Sequence, residues 1–245
     1  PLGSALVAGL STAESTSILA RMSLTIFQMA HSPYCIPITR ALEALDVSFE
    51  TIDITPHTRE EVILASAGRY YQVPLLDHDG RLIMESSGDS IDIARYIDTS
   101  FAGGRLFPAA IEAAHLPLVA QIENEFELAG FILIDPLYID HIDDLVARTM
   151  IIRHKERKFG AGCVDRWRLE HDERLAHFVD LLGPGEVTLG EQAFLFGDAP
   201  VYADYALLGV VENVTYKGWN ALPEALGNIA RWQEALRAYR FGAAE

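Results

Sequence analysis

One stretch limits this chain more than any other. Leu24-Thr25-Ile26-Phe27 is an apolar, strand-like run, and Ile38, Leu42 and Leu45 recur soon afterwards at helical spacing. Between them stands His31-Ser32-Pro33-Tyr34-Cys35. The stretch reads as strand, short loop and helix start, with the helix running from Pro33 or Tyr34 to Leu45. Ser32 suits the N-cap and Pro33 the first helical position. Such a helix start offers unpaired N–H groups and a partial positive charge, which favour a thiolate or a carboxylate. Pro37 is awkward inside a helix and implies an irregular first turn.

Composition narrows the class. Of 245 residues, 50% are hydrophobic and 22% charged, an ordinary globular mixture. The net charge of −16 argues against a nucleic-acid or anionic membrane partner. No apolar run reaches the ~18 residues of a membrane span. Two cysteines, Cys35 and Cys163, make neither a disulfide framework nor a cysteine-rich metal site, which fits a reducing cytoplasm. His31 has no metal-like partner at suitable spacing, so no metal is expected.

Residues 1–21 read as a tag remnant, Pro1-Leu2-Gly3-Ser4, and a flexible extension, with Met22 a natural start. Strands are expected over 24–28 and 47–54, then a short helix over 59–66 capped by Thr58. Gln72 to Asp77 and Arg81 to Met84 pair across an Asp79-Gly80 turn. A helix carrying Ile93, Tyr96 and Ile97 follows. This order, βαβ, α, ββα, gives a thioredoxin-like domain over 22–102, with a four-stranded mixed sheet and helices on both faces. Residues 103–108 read as a linker. Residues 109–245 read as an all-helical domain, with helices near 109–133, 139–158, 163–182, 201–215 and 222–239. Breaks are expected at Asp135-Pro136, Gly160-Ala161-Gly162, Gly183-Pro184-Gly185 and Gly197-Asp198-Ala199-Pro200.

Ser32-Pro33-Tyr34-Cys35 resembles the Cys-Pro-Tyr-Cys of glutaredoxins with serine in place of the first cysteine. Ahead of a long helical half, that turn resembles the glutathione S-transferases, and the resemblance spans Leu24 to about Tyr239. Gln72-Val73-Pro74 is similar to the family's strand-start motif, which implies a cis bond at Pro74 and pairing of the Val73 backbone with the cysteinyl part of glutathione. Asp89-Ser90-x-x-Ile93-x-x-Tyr96-Ile97 is similar to its acidic-Ser helix start, which implies a site for the γ-glutamyl group. Glu85-Ser86, directly after the fourth strand, is the competing pair. Gly197 to Asp204 resembles the family's capping-box motif, except that Val201 stands where Ser or Thr is expected. Ser-Pro-Tyr, Asp-Ser and the stretch Ala203 to Leu207 also resemble bacterial glutathione-dependent lyases of the β-etherase type.

The family implies a cytoplasmic homodimer of detoxifying type, binding glutathione through Tyr34, Gln72, Val73, Pro74, Glu85, Ser86, Asp89 and Ser90. Ser32 is the candidate donor to the glutathione thiolate. Cys35 is the competing centre; it supports thiol–disulfide exchange if accessible and only packing if buried. A protein that binds glutathione without catalysis is the third alternative. Tyr138, Arg153, Phe159 and Trp167 are candidates to line an acceptor pocket between the domains for a hydrophobic or aromatic electrophile. The basic run Arg148, Arg153, Lys155, Arg157 and Lys158 reads as a solvated helix face.

Overall fold

The computed structural model describes residues 23–85 and 91–242. Strands β1 (Leu24–Gln28), β2 (Glu50–Asp53), β3 (Leu75–His78) and β4 (Arg81–Ile83) form one mixed sheet in the order β2-β1-β3-β4. β1 and β2 are parallel; β1–β3 and β3–β4 are antiparallel. Alternation along β1 sends Leu24 and Ile26 into the main core and Phe27 to the opposite face. Helices α1 (Cys35–Ala44) and α3 (Asp92–Ile97) cover the main-core face through Ile38, Leu42, Ile93 and Ile97. Helix α2 (Glu60–Ala65) places Val62 on the other face, beside Leu75 and Cys35. The β3–β4 hairpin turns at Asp79 (φ 53°) and Gly80 (φ 81°), both left-handed as a two-residue hairpin requires.

Two local expectations change. Thr58 does not cap α2. Arg59 precedes that helix with φ 55°, and Glu61 reaches back to accept from the N–H and hydroxyl of Thr55 at 3.1 and 2.8 Å. β2 is also shorter than its apolar pattern suggests, because only Glu50 to Asp53 pairs with β1.

The helical half comprises α4 (Glu112–Gln121), α5 (Glu127–Asp140), α6 (Leu145–Phe159), α7 (Cys163–Leu169), α8 (His171–Glu191), α9 (Tyr202–Val214) and α10 (Gly227–Ala238). The break expected at Asp135-Pro136 is absent: α5 runs through Pro136 to Asp140, with Leu133, Ile134, Pro136 and Ile139 all buried. Tertiary burial outweighs the hydrogen bond that proline removes. The break expected at Gly183-Pro184-Gly185 is absent too. α8 continues to Glu191, burying Phe178, Leu182 and Leu189. That continuation places Glu186 over the start of α10, where its carboxylate accepts the N–H groups of Asn228 and Ile229, each at 2.9 Å. The single helix expected over 163–182 is instead split at Glu170 into α7 and α8.

Helix α9 is buried on every side; of its residues only Glu212 is not buried. Its N-terminus lacks the usual cap, since the Val201 side chain has no acceptor. Three substitutes satisfy the exposed N–H groups. The Tyr202 N–H donates to Leu106 O at 2.9 Å, the Ala203 N–H to His115 Nε2 at 3.0 Å, and the Asp204 N–H to Val201 O at 3.0 Å. Asp204, fully buried, accepts from the N–H groups of Val201 and Leu195 and from Trp232 Nε1 at 2.9–3.0 Å. Burial still pushes its carboxyl up to about 6.

His115 can accept that N–H only while neutral, and burial, then Arg95, lowers its pKa to about 4. Its ordinary value is near ~6.5. Below that value the unfolded chain takes up a proton that the folded chain refuses, so this contribution to stability is complete above ~6.5 and is lost as pH falls towards about 4. Urea unfolding of the parent protein and of His115→Asn should therefore differ in slope across this window. The variant, which keeps an acceptor but cannot titrate, should lose less stability on acidification; parallel curves would contradict the capping role.

Candidate active site

The turn between β1 and α1 is locked from within. The Ser32 carbonyl accepts the N–H groups of Cys35 and Ile36, both at 3.1 Å, so helical bonding begins at Ser32 although α1 itself starts at Cys35. The Ser32 Oγ accepts the Tyr34 N–H at 3.3 Å, the bond expected of an N-cap. Ser32 is buried and lies within hydrogen-bonding reach of Cys35. Cys35 is fully buried against Val62, Val73 and Leu75. Burial pushes its thiol up to about 12, against the opposing pull of Met29 and Ser32.

Helix α9 locks the same turn from outside. Gly209 backs onto it so closely that a Cβ there would stand 2.4 Å from Pro33 O and 2.7 Å from the Pro37 ring. One turn of α9 further on, Asn213 Nδ2 donates to His31 O at 2.5 Å. Pro37 can give no N–H back to Pro33, and the space beside that carbonyl is occupied by Gly209.

The next segment also meets the sequence expectation. The Val73–Pro74 bond is cis. Val73 and Pro74 are buried at the head of β3, while Gln72 is exposed. Glu85 follows β4 and bears electrostatically on both Tyr34 and Cys35. Ser86, Asp89 and Ser90 lie outside the described residues.

The turn faces α5, with a narrow crevice between Pro33, Tyr34 and Pro37 on one side and Glu127 on the other. Along α5, Glu127, Phe131, Asp135 and Tyr138 follow one another at helical spacing. The His31 ring stacks on Tyr138 at 4.4 Å. Burial, then Lys155 and Lys217, lowers His31 to about 4, so the ring is neutral at physiological pH. Lys155 of α6 forms an ion pair with buried Asp135 and sits 3.8 Å from the Phe131 ring centroid. The Tyr34 hydroxyl donates to Glu123 O at 3.4 Å. Burial, then Glu127, Glu123 and Glu85, raises that hydroxyl far above the usual range, so it stays protonated. Among the described residues no group of three or more metal-binding side chains is gathered.

Residues 26–105 match the family model described as "Glutathione S-transferase, N-terminal domain". This stretch therefore carries a glutathione S-transferase N-terminal domain. Solved structures extend the likeness to the helical half. A glutathione S-transferase from Rhodospirillum rubrum F11 is similar with a TM-score of 0.62 at 18% identity, covering 88% of each chain. The β-etherase LigF of Sphingobium sp. strain SYK-6 is similar with a TM-score of 0.61 at 15% identity, covering 88% of this chain and 95% of that one. The theta-class glutathione S-transferase of Xanthomonas axonopodis pv. citri, solved with glutathione bound, is similar with a TM-score of 0.59 at 15% identity, covering 88% and 92%. At these identities the likeness is one of fold. No curated protein matches the chain in sequence.

In this glutathione S-transferase fold the four acceptor-site candidates part company. Tyr138 meets the β1–α1 turn through its stack on His31. Arg153 is exposed and forms an ion pair with Glu156. Phe159 and Trp167 pack against each other at 5.3 Å and against Phe131, in a small core shared with Ile139, Cys163 and Val164. Lys155 departs from the solvated face expected of the basic run, being largely buried on Asp135. The sequence reading missed Glu127, Asp135, Gly209 and Asn213. Only Asp135 had a visible signal, a carboxylate within an apolar run, and it was assigned to a helix break.

Proposed function

We propose that the protein is a glutathione transferase that activates the thiol of glutathione for attack on a small, hydrophobic or aromatic electrophile. The observation that carries this reading is the arrangement at the start of α1. A serine hydroxyl stands there among helix-start N–H groups, while the only nearby cysteine is sealed beneath it. Glutathione's cysteinyl backbone is assigned to Val73, and its γ-glutamyl group to Asp89 and Ser90, with Glu85 and Ser86 as the competing pair. Gln72, Pro74 and Tyr34 complete the expected contacts. Ser32 donates to the thiolate, and the side of the turn that faces α5 receives the electrophile. We assign the active form to a cytoplasmic homodimer; Leu64 and Tyr71 are among the exposed large apolar side chains available for such contact.

Disulfide exchange through Cys35 is disfavoured by its burial and its raised pKa, since the thiolate is the reactive species. The test compares the parent protein with Cys35→Ser in two assays, conjugation of chlorodinitrobenzene and reduction of a glutathione mixed disulfide. Conjugation should survive the substitution, and disulfide reduction should be absent from both proteins. Disulfide reduction that disappears in Cys35→Ser would make Cys35 the working residue. Glutathione binding by calorimetry, without turnover of any electrophile, would leave a binding protein.

A further inference from the structure

Helix α9 runs into a tight turn that holds a side chain in a strained place. Tyr216–Gly218 is a single 3-10 turn, with Lys217 at φ 53° and Gly218 at φ 73°. Left-handed backbone comes easily to glycine and not to lysine, so the surroundings must impose it. Buried Asn220 does so: its Nδ2 donates to Val214 O at 2.9 Å, and its Oδ1 meets His171 Nε2 at 2.8 Å. The turn brings Tyr216 against the residue that precedes Ser32, with the Tyr216 and His31 ring centroids 5.5 Å apart. Tyr138 stacks on the same His31 ring at 4.4 Å. Tyr138, His31 and Tyr216 thus form a half-buried aromatic shelf beside the β1–α1 turn. Lys217 stands at its far end, with Nζ 5.4 Å from the Tyr216 ring centroid and 6.0 Å from that of Trp219. Among the described residues Lys217 forms no ion pair, although the chain carries a net charge of −16. Lys155, the other ammonium near His31, is taken by Asp135.

A row of rings that ends in an uncommitted ammonium distinguishes acceptors by charge. A neutral aromatic acceptor gains only the stacking, whereas one with a carboxylate away from its reacting carbon gains an ion pair as well. We propose that Lys217 selects aromatic acceptors that bear a carboxylate, with Tyr138, His31 and Tyr216 receiving the ring and Lys217 the anionic group. His31 cannot supply the positive charge itself, since its ring is neutral at physiological pH. The Tyr138 and Tyr216 hydroxyls make no hydrogen bond among the described residues and are free to donate. The carboxylate takes no part in bond making. For an aryl chloride, the sulfur's electron pair forms the C–S bond and chloride leaves with the C–Cl pair. The inference rests on the transferase reading above and adds a substrate class to it.

The experiment uses a chlorodinitrobenzoate, with its carboxylate para to the chlorine-bearing carbon, and the methyl ester of the same acid, beside chlorodinitrobenzene. Each enzymatic rate is divided by the rate of the uncatalysed reaction with glutathione, which removes the difference in intrinsic reactivity. The parent protein should then prefer the carboxylate to the ester, and the preference should shrink as salt is added. Lys217→Gln should lose about fivefold in kcat/KM on the carboxylate, chiefly through KM, which is the size an exposed charge pair supports, and far less on the ester. Lys217→Arg, which keeps the charge, should keep the preference. Equal losses of Lys217→Gln on acid and ester, or a parent protein with no preference for the acid, would overturn this inference alone. Failure of the parent protein on all three acceptors would overturn the transferase reading beneath it.

Discussion

Ser32→Ala should slow glutathione conjugation roughly 10- to 150-fold at neutral pH, the kinetic equivalent of losing a charge-assisted hydrogen bond of ~1.5–3 kcal/mol. A free thiol has a pKa near ~8.5, and lowering it by two units takes about 2.7 kcal/mol in favour of the thiolate. A helix N-terminus supplies ~0.3–1 kcal/mol of that, so a hydroxyl donor must supply most of the rest. The Ser32 hydroxyl is suited to it. Its oxygen already accepts the Tyr34 N–H, which leaves its proton to donate. Cys35 competes for that proton, but a thiol held up to about 12 is a poorer acceptor than a bound thiolate. Rate measured against pH is the decisive readout: the ascending limb should move to higher pH in Ser32→Ala, while glutathione affinity changes less. An unmoved limb would show that the hydroxyl only caps the helix.

Gly209→Ala should damage both stability and catalysis, though the residue bears no functional group. The added methyl would stand 2.4 Å from Pro33 O, a backbone atom that cannot swing aside, and 2.7 Å from the Pro37 ring. Overpacking of this kind costs about 1–3 kcal/mol, and more where the obstacle is main chain. Relief requires moving either α9, which is buried all round, or the turn that holds Ser32. A displacement of about 1 Å at a catalytic group is enough for a 100-fold loss of rate. Gly183→Ala supplies the contrast. Its Cβ would meet nothing within 4 Å, and it lies inside α8, so gain of helix propensity should stabilise the protein by about 0.5–1 kcal/mol. Urea midpoints for the two variants should shift in opposite directions. A Gly209→Ala protein of parental stability and rate would remove α9 from the account of the site.

Much of the sheet half was legible because its signals are local. Alternation marks β1, Asp79-Gly80 marks the hairpin, and Ser32-Pro33 marks the start of helical bonding. The helical half was less legible wherever tertiary burial overrode a breaker. Pro136 and Gly183-Pro184-Gly185 look like interruptions on propensity alone. Both lie inside helices whose apolar faces are already committed to the core. The same limit applies to the site. Glu127 carries no sequence signal, because what distinguishes it is the burial it acquires when α5 meets the turn. His115 is equally silent, since its partner, the Ala203 N–H, is 88 residues away.

The burial of α9 bears on how the molecule comes apart. The chain reads as an α/β unit followed by a helical one, which suggests two melting events. Yet the main core passes without interruption from Ile26 and Leu42 to Tyr205 and Leu208, and Leu106 and Phe107, in the expected linker, belong to it. Peeling the sheet half away would leave α9 with an apolar flank in water and without the turn against which Gly209 rests. Freeing the helical half would leave that turn without its backing. Neither portion keeps a closed interior once the other departs, so the two are expected to unfold in one cooperative step, with the geometry around Ser32 persisting only while both are folded.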